Sequence, residues 1–159
     1  MSPQLLEEQI GDLLRQRGMK LTMAESCTGG LVGHLITNIP GSSDYYLGSV
    51  TAYAYEVKEA LLGVKHETLQ LHGAVSKECV IEMARGVRSA LSGGFPLESI
   101  LGISISGIAG PGGGLSEKPV GTVWIGMSAP ELEAAPLAGG LFAVSGLGIR
   151  GLPSARFAG

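Results

Sequence analysis

The chain has 159 residues, 45% of them apolar and 16% charged, with a net charge of −3. That length suits one domain with a sizeable core, and 11 basic against 14 acidic residues without a basic run exclude a polycationic nucleic-acid binder. The 26 glycines, about one residue in six, are roughly twice the average share and have to be read by position.

Leu5, Leu6, Ile10, Leu13 and Leu14 fall on one side of a 3.6-residue period, which predicts an amphipathic helix from near Pro3 to Gly18. Glu7, Glu8 and Asp12 interrupt any apolar leader core there, so the protein is expected to be cytoplasmic. Residues 20–24 form a short apolar strand, 25–30 a polar turn, and 31–37 a helix whose entry holds Gly29 and Gly30. Turn residues at 39–44 precede a β-prone run, 46–53, followed by a short helix over 56–62 that stops at Gly63. Ser76 is a suitable N-cap for a longer helix that ends at Gly93 and Gly94. The apolar run 99–106 reads as a buried central strand, the glycine loop 107–114 follows it, and 119–127 reads as a further strand with Pro119 at its start. This alternation predicts a sheet with helices on its faces. The longest uncharged runs, 99–116 and 134–149, fall short of the roughly 20 apolar residues of a membrane helix, so no membrane association is expected.

Three segments can carry chemistry. Glu25-Ser26-Cys27-Thr28-Gly29-Gly30 lies between a strand and a helix, where unpaired amides and the positive end of the helix dipole suit a phosphate or an oxyanion. A plain N-cap explains the same residues. Lys58, just past a strand end, can act as a base only if burial lowers its pKa; otherwise it is a solvated surface lysine. Ser106, Gly107, Gly110, Gly112 and Gly113 form a loop at the carboxyl edge of a strand, where ligands of open α/β sheets bind, although a flexible crossover needs the same glycines. The three histidines have no partners at a recognisable catalytic spacing, and Cys27 and Cys79 form no Cys/His cluster. No metal or cofactor is therefore expected.

Taken in order, Ala24-Glu-Ser-Cys-Thr-Gly-Gly30, Tyr53 with Glu56-Val-Lys58, Gly73-Ala-Val-Ser76, Ser106-Gly-Ile-Ala-Gly-Pro-Gly-Gly-Gly114 and Lys118-Pro-Val-Gly-Thr122 closely resemble the CinA C-terminal domain family, also called the nicotinamide-nucleotide amidase or competence/damage-inducible family. The resemblance spans about residues 3–128. It implies a three-layer α/β/α sandwich with a central mixed sheet that hydrolyses the carboxamide of nicotinamide mononucleotide, a small nucleotide substrate, to nicotinate mononucleotide and ammonia. By the same resemblance Ser26 is the nucleophile, Lys58 its base and Tyr53 a neighbour at the catalytic site. Glu25, Thr28, Gly29, Gly30, Ser106, Gly107, Gly110, Gly112 and Gly113 would bind substrate, with amides near 28–30 holding the oxyanion and 107–114 cradling the phosphate.

Two departures stand out. Position 55 is Tyr where the family commonly has Asn, which is expected to add bulk near Lys58. Family members usually finish with a strand and an Arg-rich amphipathic helix, whereas 134–159 shows neither period. We therefore divide the chain into an amidase-like domain, 1–133, and an atypical tail, 134–159, whose composition fits an altered terminus or a shifted reading frame. A chain that starts directly at the amidase-like helix is expected to be a stand-alone form. The competing reading is a catalytically silent ligand-binding or interaction domain linked to competence or DNA damage. Tyr45, Tyr46 and Trp124, if exposed, would favour a homo-oligomer.

Overall fold

The computed structural model describes residues 4–130 and the backbone of 143–145. Five helices are present among these residues: α1 (Leu6–Gln16), α2 (Leu31–Thr37), α3 (Tyr55–Leu62), α4 (His66–His72) and α5 (Lys77–Ala90). The strands are β1 (Lys20–Glu25), β2 (Tyr46–Thr51), β3 (Ile100–Gly107), β4 (Val123–Ser128) and β5 (Ala143–Ser145). They form one mixed sheet in the order β2-β1-β3-β4-β5. β1 runs parallel to β2 and β3, while β4 runs antiparallel to β3 and to β5.

The alternation of side chains along β1 and β3 makes two cores, because neighbours on a strand face opposite ways. Leu21, Met23 and Ile105 pack with Leu14 of α1, Ile36 of α2 and Tyr45 on one face. Ala24 and Ala52 pack with Leu62, Leu69 and the α5 residues Cys79, Met83 and Val87 on the other. The three-layer α/β/α architecture expected from the sequence is the one observed.

Helix α5 lies directly on the sheet because two strand positions beneath it have no side chain. A Cβ on Gly102 would run into the Ala84 carbonyl, and one on Gly126 into the Val80 carbonyl. Ser104, between them, donates to the Val80 carbonyl at 2.5 Å. α5 meets α3 in the same way, for a Cβ on Gly86 would overlap the Leu62 carbonyl. Gly86→Ala is therefore expected to cost about 1–3 kcal/mol, the usual range for overpacking. A lower denaturant midpoint with an unchanged m-value would register it.

Several details differ from the sequence-based expectation. α4 was not foreseen, because only Thr68 and Leu69 of its seven residues are buried and no apolar period develops. β4 begins at Val123 rather than 119, since Thr122 folds back on Pro119 through its backbone N–H (3.0 Å) and its hydroxyl (2.7 Å). Tyr45 is fully buried, so it offers nothing to an oligomer interface. Leu6, Ile10 and Leu13 stay exposed and only Leu14 and Gly11 of α1 are buried. The tail from 134 on lies outside the described residues except for β5, whose pairing with β4 places a strand where none was expected.

Candidate active site

The path of the chain reverses direction across the sheet at the carboxyl end of β1. β1 leads through α2 to β2 on one side, and the chain then returns through α3, α4 and α5 to β3 on the other. α2 joins the core on one face of the sheet and α3 and α5 the core on the opposite face. Such a reversal of strand order leaves room for a ligand beyond the strand ends. Ser26 is the first residue past β1.

The turn carrying Ser26 is held from three directions. Ser26 N–H donates to the Ile105 carbonyl (2.9 Å), and Gly29 N–H donates to the Ser26 carbonyl (3.1 Å). The Glu25 carboxylate, completely buried, accepts from the N–H groups of Gly30 (3.1 Å), Val32 (3.1 Å) and Gly33 (2.7 Å). A helix begins with N–H groups that have no partner inside it, and this carboxylate supplies one for α2. The Glu25 carboxylate thus fixes the turn from within, its oxygens taken up by these three N–H groups. Gly33 allows the approach, since a Cβ there would sit 2.5 Å from Tyr46 Oη and 3.3 Å from Glu25 Oε1.

Lys58 comes from the first turn of α3 and points inward, with no exposed surface. Its Nζ lies 3.1 Å from Ser26 Oγ, 2.6 Å from the Ala52 carbonyl and 2.8 Å from the Tyr53 carbonyl. An ammonium would spend all three N–H groups on these acceptors. A neutral amine would donate two to the carbonyls and turn its lone pair to the Ser26 hydroxyl. Burial favours the neutral form and pushes the Lys58 amine below its ordinary value, against smaller opposing effects of the Cys79 and Cys27 sulfurs. Burial also raises both thiols, Cys79 to about 11, so neither supplies a thiolate at neutral pH. Among the described residues no carboxylate forms an ion pair with Lys58.

The other expected site residues divide into three groups. Thr28 stays near Ser26, and its hydroxyl is buried without a hydrogen-bond partner among the described residues. Gly29 and Gly30 keep their place in the turn with φ of +60° and +101°. Their N–H groups are engaged by Ser26 and Glu25, and those of Cys27 and Thr28 lie against the Cys27 sulfur. Ser106 is buried and donates to the Ala74 carbonyl at 2.8 Å, and Gly107 backs onto Cys27, where a Cβ would be 3.1 Å from Sγ. Gly110, Gly112 and Gly113 lie further out on the exposed hairpin between β3 and β4.

At Tyr53 it is the backbone that meets Lys58. Its side chain is 75% exposed, and only its carbonyl reaches Lys58. Tyr55 also turns away from Lys58, since its hydroxyl accepts from Ala74 N–H at 3.3 Å. The Ala52 and Tyr53 carbonyls were not visible as site groups in the sequence, because any residue supplies a carbonyl. The direction of the backbone past β2 is what brings them to Nζ.

Among the described residues, no helix is long and apolar enough to cross a membrane. The family model for the CinA C-terminal domain matches residues 3–137. A CinA-like protein of Salinibacter ruber is 52% identical over 121 residues, 76% of this chain and 28% of that protein. A CinA-like protein of Desulfosudis oleivorans is 50% identical over 126 residues, 79% of this chain and 29% of that protein. The chain thus spans less than a third of these relatives. Among solved structures, the competence/damage-inducible protein of Agrobacterium tumefaciens superposes with a TM-score of 0.76 at 33% identity, covering 91% of this chain and 83% of that one. The competence damage-inducible protein A of Klebsiella pneumoniae does so with a TM-score of 0.75 at 33% identity, covering 89% and 79%. Sequence, motif order and fold agree, and the chain belongs to the CinA C-terminal domain family.

Proposed function

We propose that the protein is a serine amidohydrolase that deamidates nicotinamide mononucleotide in pyridine-nucleotide recycling. The observation that carries this reading is the buried Lys58 Nζ, 3.1 Å from Ser26 Oγ. Ser26 Oγ attacks the carboxamide carbon while its proton passes to the Lys58 lone pair. The resulting oxyanion is met at the same turn by the Thr28 hydroxyl, which among the described residues has no other partner. Lys58 then returns the proton to the departing nitrogen, so the C–N bond breaks with release of ammonia and an ester to Ser26 remains. Water, deprotonated by the same amine, cleaves that ester to the carboxylate and restores Ser26.

The test is incubation of the purified protein with nicotinamide mononucleotide. Ammonia and nicotinate mononucleotide are expected in equal amounts, and added hydroxylamine should divert part of the product to the hydroxamate by intercepting the ester. Binding of the mononucleotide with no ammonia released would instead leave a silent ligand-binding domain.

A pH profile supplies a second check. Lys58 accepts a proton only when neutral, so kcat/KM should rise with pH through the Lys58 ionisation and level off above it. Because burial lowers that ionisation, the midpoint is expected below the value of about 10.4 for a free lysine. A rate that falls as pH rises through this range would contradict the assignment.

A further inference from the structure

Helix α5 carries a polar face that the proposed reaction does not use. Glu82, Arg85, Gly86 and Ser89 follow one another at helical spacings of three and four, so they share one side of α5. Opposite them the chain passes from α3 to α4 through Leu62, Gly63 and Lys65, and a cavity of about 310 Å³ lies between the two. Two glycines shape it. Gly86 lets the Leu62 carbonyl rest directly on α5 as the floor, and Gly63 leaves one side open, since a Cβ there would meet nothing within 4 Å. The cavity shares no residue with the Ser26 turn.

Two cations line this cavity without a partner. The i, i+3 spacing of Glu82 and Arg85 ordinarily favours an ion pair, yet Glu82 is engaged elsewhere: its carboxylate accepts from Lys65 N–H and from the Thr68 hydroxyl, both at 2.9 Å. Among the described residues, the Arg85 guanidinium, the Lys65 ammonium and the Ser89 hydroxyl make no hydrogen bond or ion pair within the chain. Arg85 and Lys65 are both exposed, so their charges carry little desolvation cost. Two cations against the one carboxylate of Glu82 leave the lining net positive.

We infer that this cavity is a second binding site, separate from the Ser26 chemistry, for a small phosphomonoester. A guanidinium offers paired N–H groups and an ammonium a compact charge. Ser89, one turn beyond Arg85, adds a hydroxyl, so the set can serve the three terminal oxygens of a phosphate, where a carboxylate presents only two. The volume stands at the lower end of the range for small-molecule sites and leaves space beside Leu62 for a short organic group. A bound anion would tie the α3–α4 connection to α5. The inference holds whether or not the protein is an amidase.

The experiment is isothermal titration of the protein with inorganic phosphate and with glycerol phosphate, at constant ionic strength so that screening is held fixed. The wild type is compared with a double variant, Arg85→Gln with Lys65→Gln. Both side chains are exposed, so the double variant is expected to melt with the wild type. The expected result is saturable binding of both ions by the wild type, the ester at least as tightly as the inorganic ion, and a loss of about ten- to a hundredfold in the double variant as charge-assisted contacts disappear. Ser89→Ala should weaken binding by less, because it removes a neutral donor. No saturable binding in the wild type, or equal binding by the double variant, would overturn the site. Binding of the inorganic ion with exclusion of the ester would overturn the ligand class.

Discussion

Ser26→Ala should reduce ammonia release from nicotinamide mononucleotide by about 10⁴-fold or more, the scale on which removing a nucleophile acts in serine hydrolases. Lys58→Met, which keeps length and removes the amine, should cost nearly as much in kcat and erase the alkaline rise in rate. The two changes together should be no worse than Ser26→Ala alone, because every proton that Lys58 moves belongs to the reaction that Ser26 begins. Near-wild-type activity in Ser26→Ala would remove the serine mechanism. If Cys27→Ala then abolished the remaining rate, the nucleophile would be the adjacent thiol. Lys58→Met also leaves the Ala52 and Tyr53 carbonyls without their donor, so its folding is measured alongside its rate. A surface lysine would show neither effect.

Glu25→Ala should have the largest effect on stability. The carboxylate is fully buried and serves three N–H groups of the α2 entry. Truncation strands three donors and leaves a void, a combination expected to cost about 3–5 kcal/mol. For a chain of this size that corresponds to a fall in Tm of about 10 °C. Glu25→Gln retains one acceptor oxygen and the volume, and should lose less. Thermal unfolding followed by circular dichroism distinguishes them, and equal melting of Glu25→Ala and wild type would show that the N–H groups find other partners. The turn bearing Ser26 is fixed by the same contacts, so Glu25→Ala should also lower kcat in the protein that remains folded.

Much of this arrangement is legible in the sequence. Gly18 and Gly63 end helices where positive φ is needed, Ser76 caps α5 through Cys79 N–H, and the apolar run read at 99–106 is the central strand, observed over Ile100–Gly107. The order of motifs gave the family and its layers. What remained hidden depends on direction rather than composition. Lys58 has the same sequence signature whether α3 turns it outward or inward, and only the packing of α3 against α5 decides. Tyr53 follows β2 by two residues, so nothing local reveals that its ring is exposed while its carbonyl turns in to Lys58. Glu25 resembles a ligand group in sequence, but a carboxylate at a strand end followed by glycines can equally turn back to cap the helix it precedes. β5 could not be foreseen in 143–145, because three residues are too few to establish a period.

The glycine seats beneath α5 bear on how the molecule breathes. With Gly102 and Gly126 under it and Gly86 against the Leu62 carbonyl, the helix has no side-chain cushion on which to slide, so separating it means breaking backbone contact along much of its length. Amide protons of residues 80–87 and of β3 should therefore exchange with deuterium last, in the unit that opens only with the whole protein. Those of α2, a short helix with just Gly33 and Ile36 buried, should exchange early. Fluctuations on the Ser26 side would then admit and release ligand while the α5 face keeps its shape.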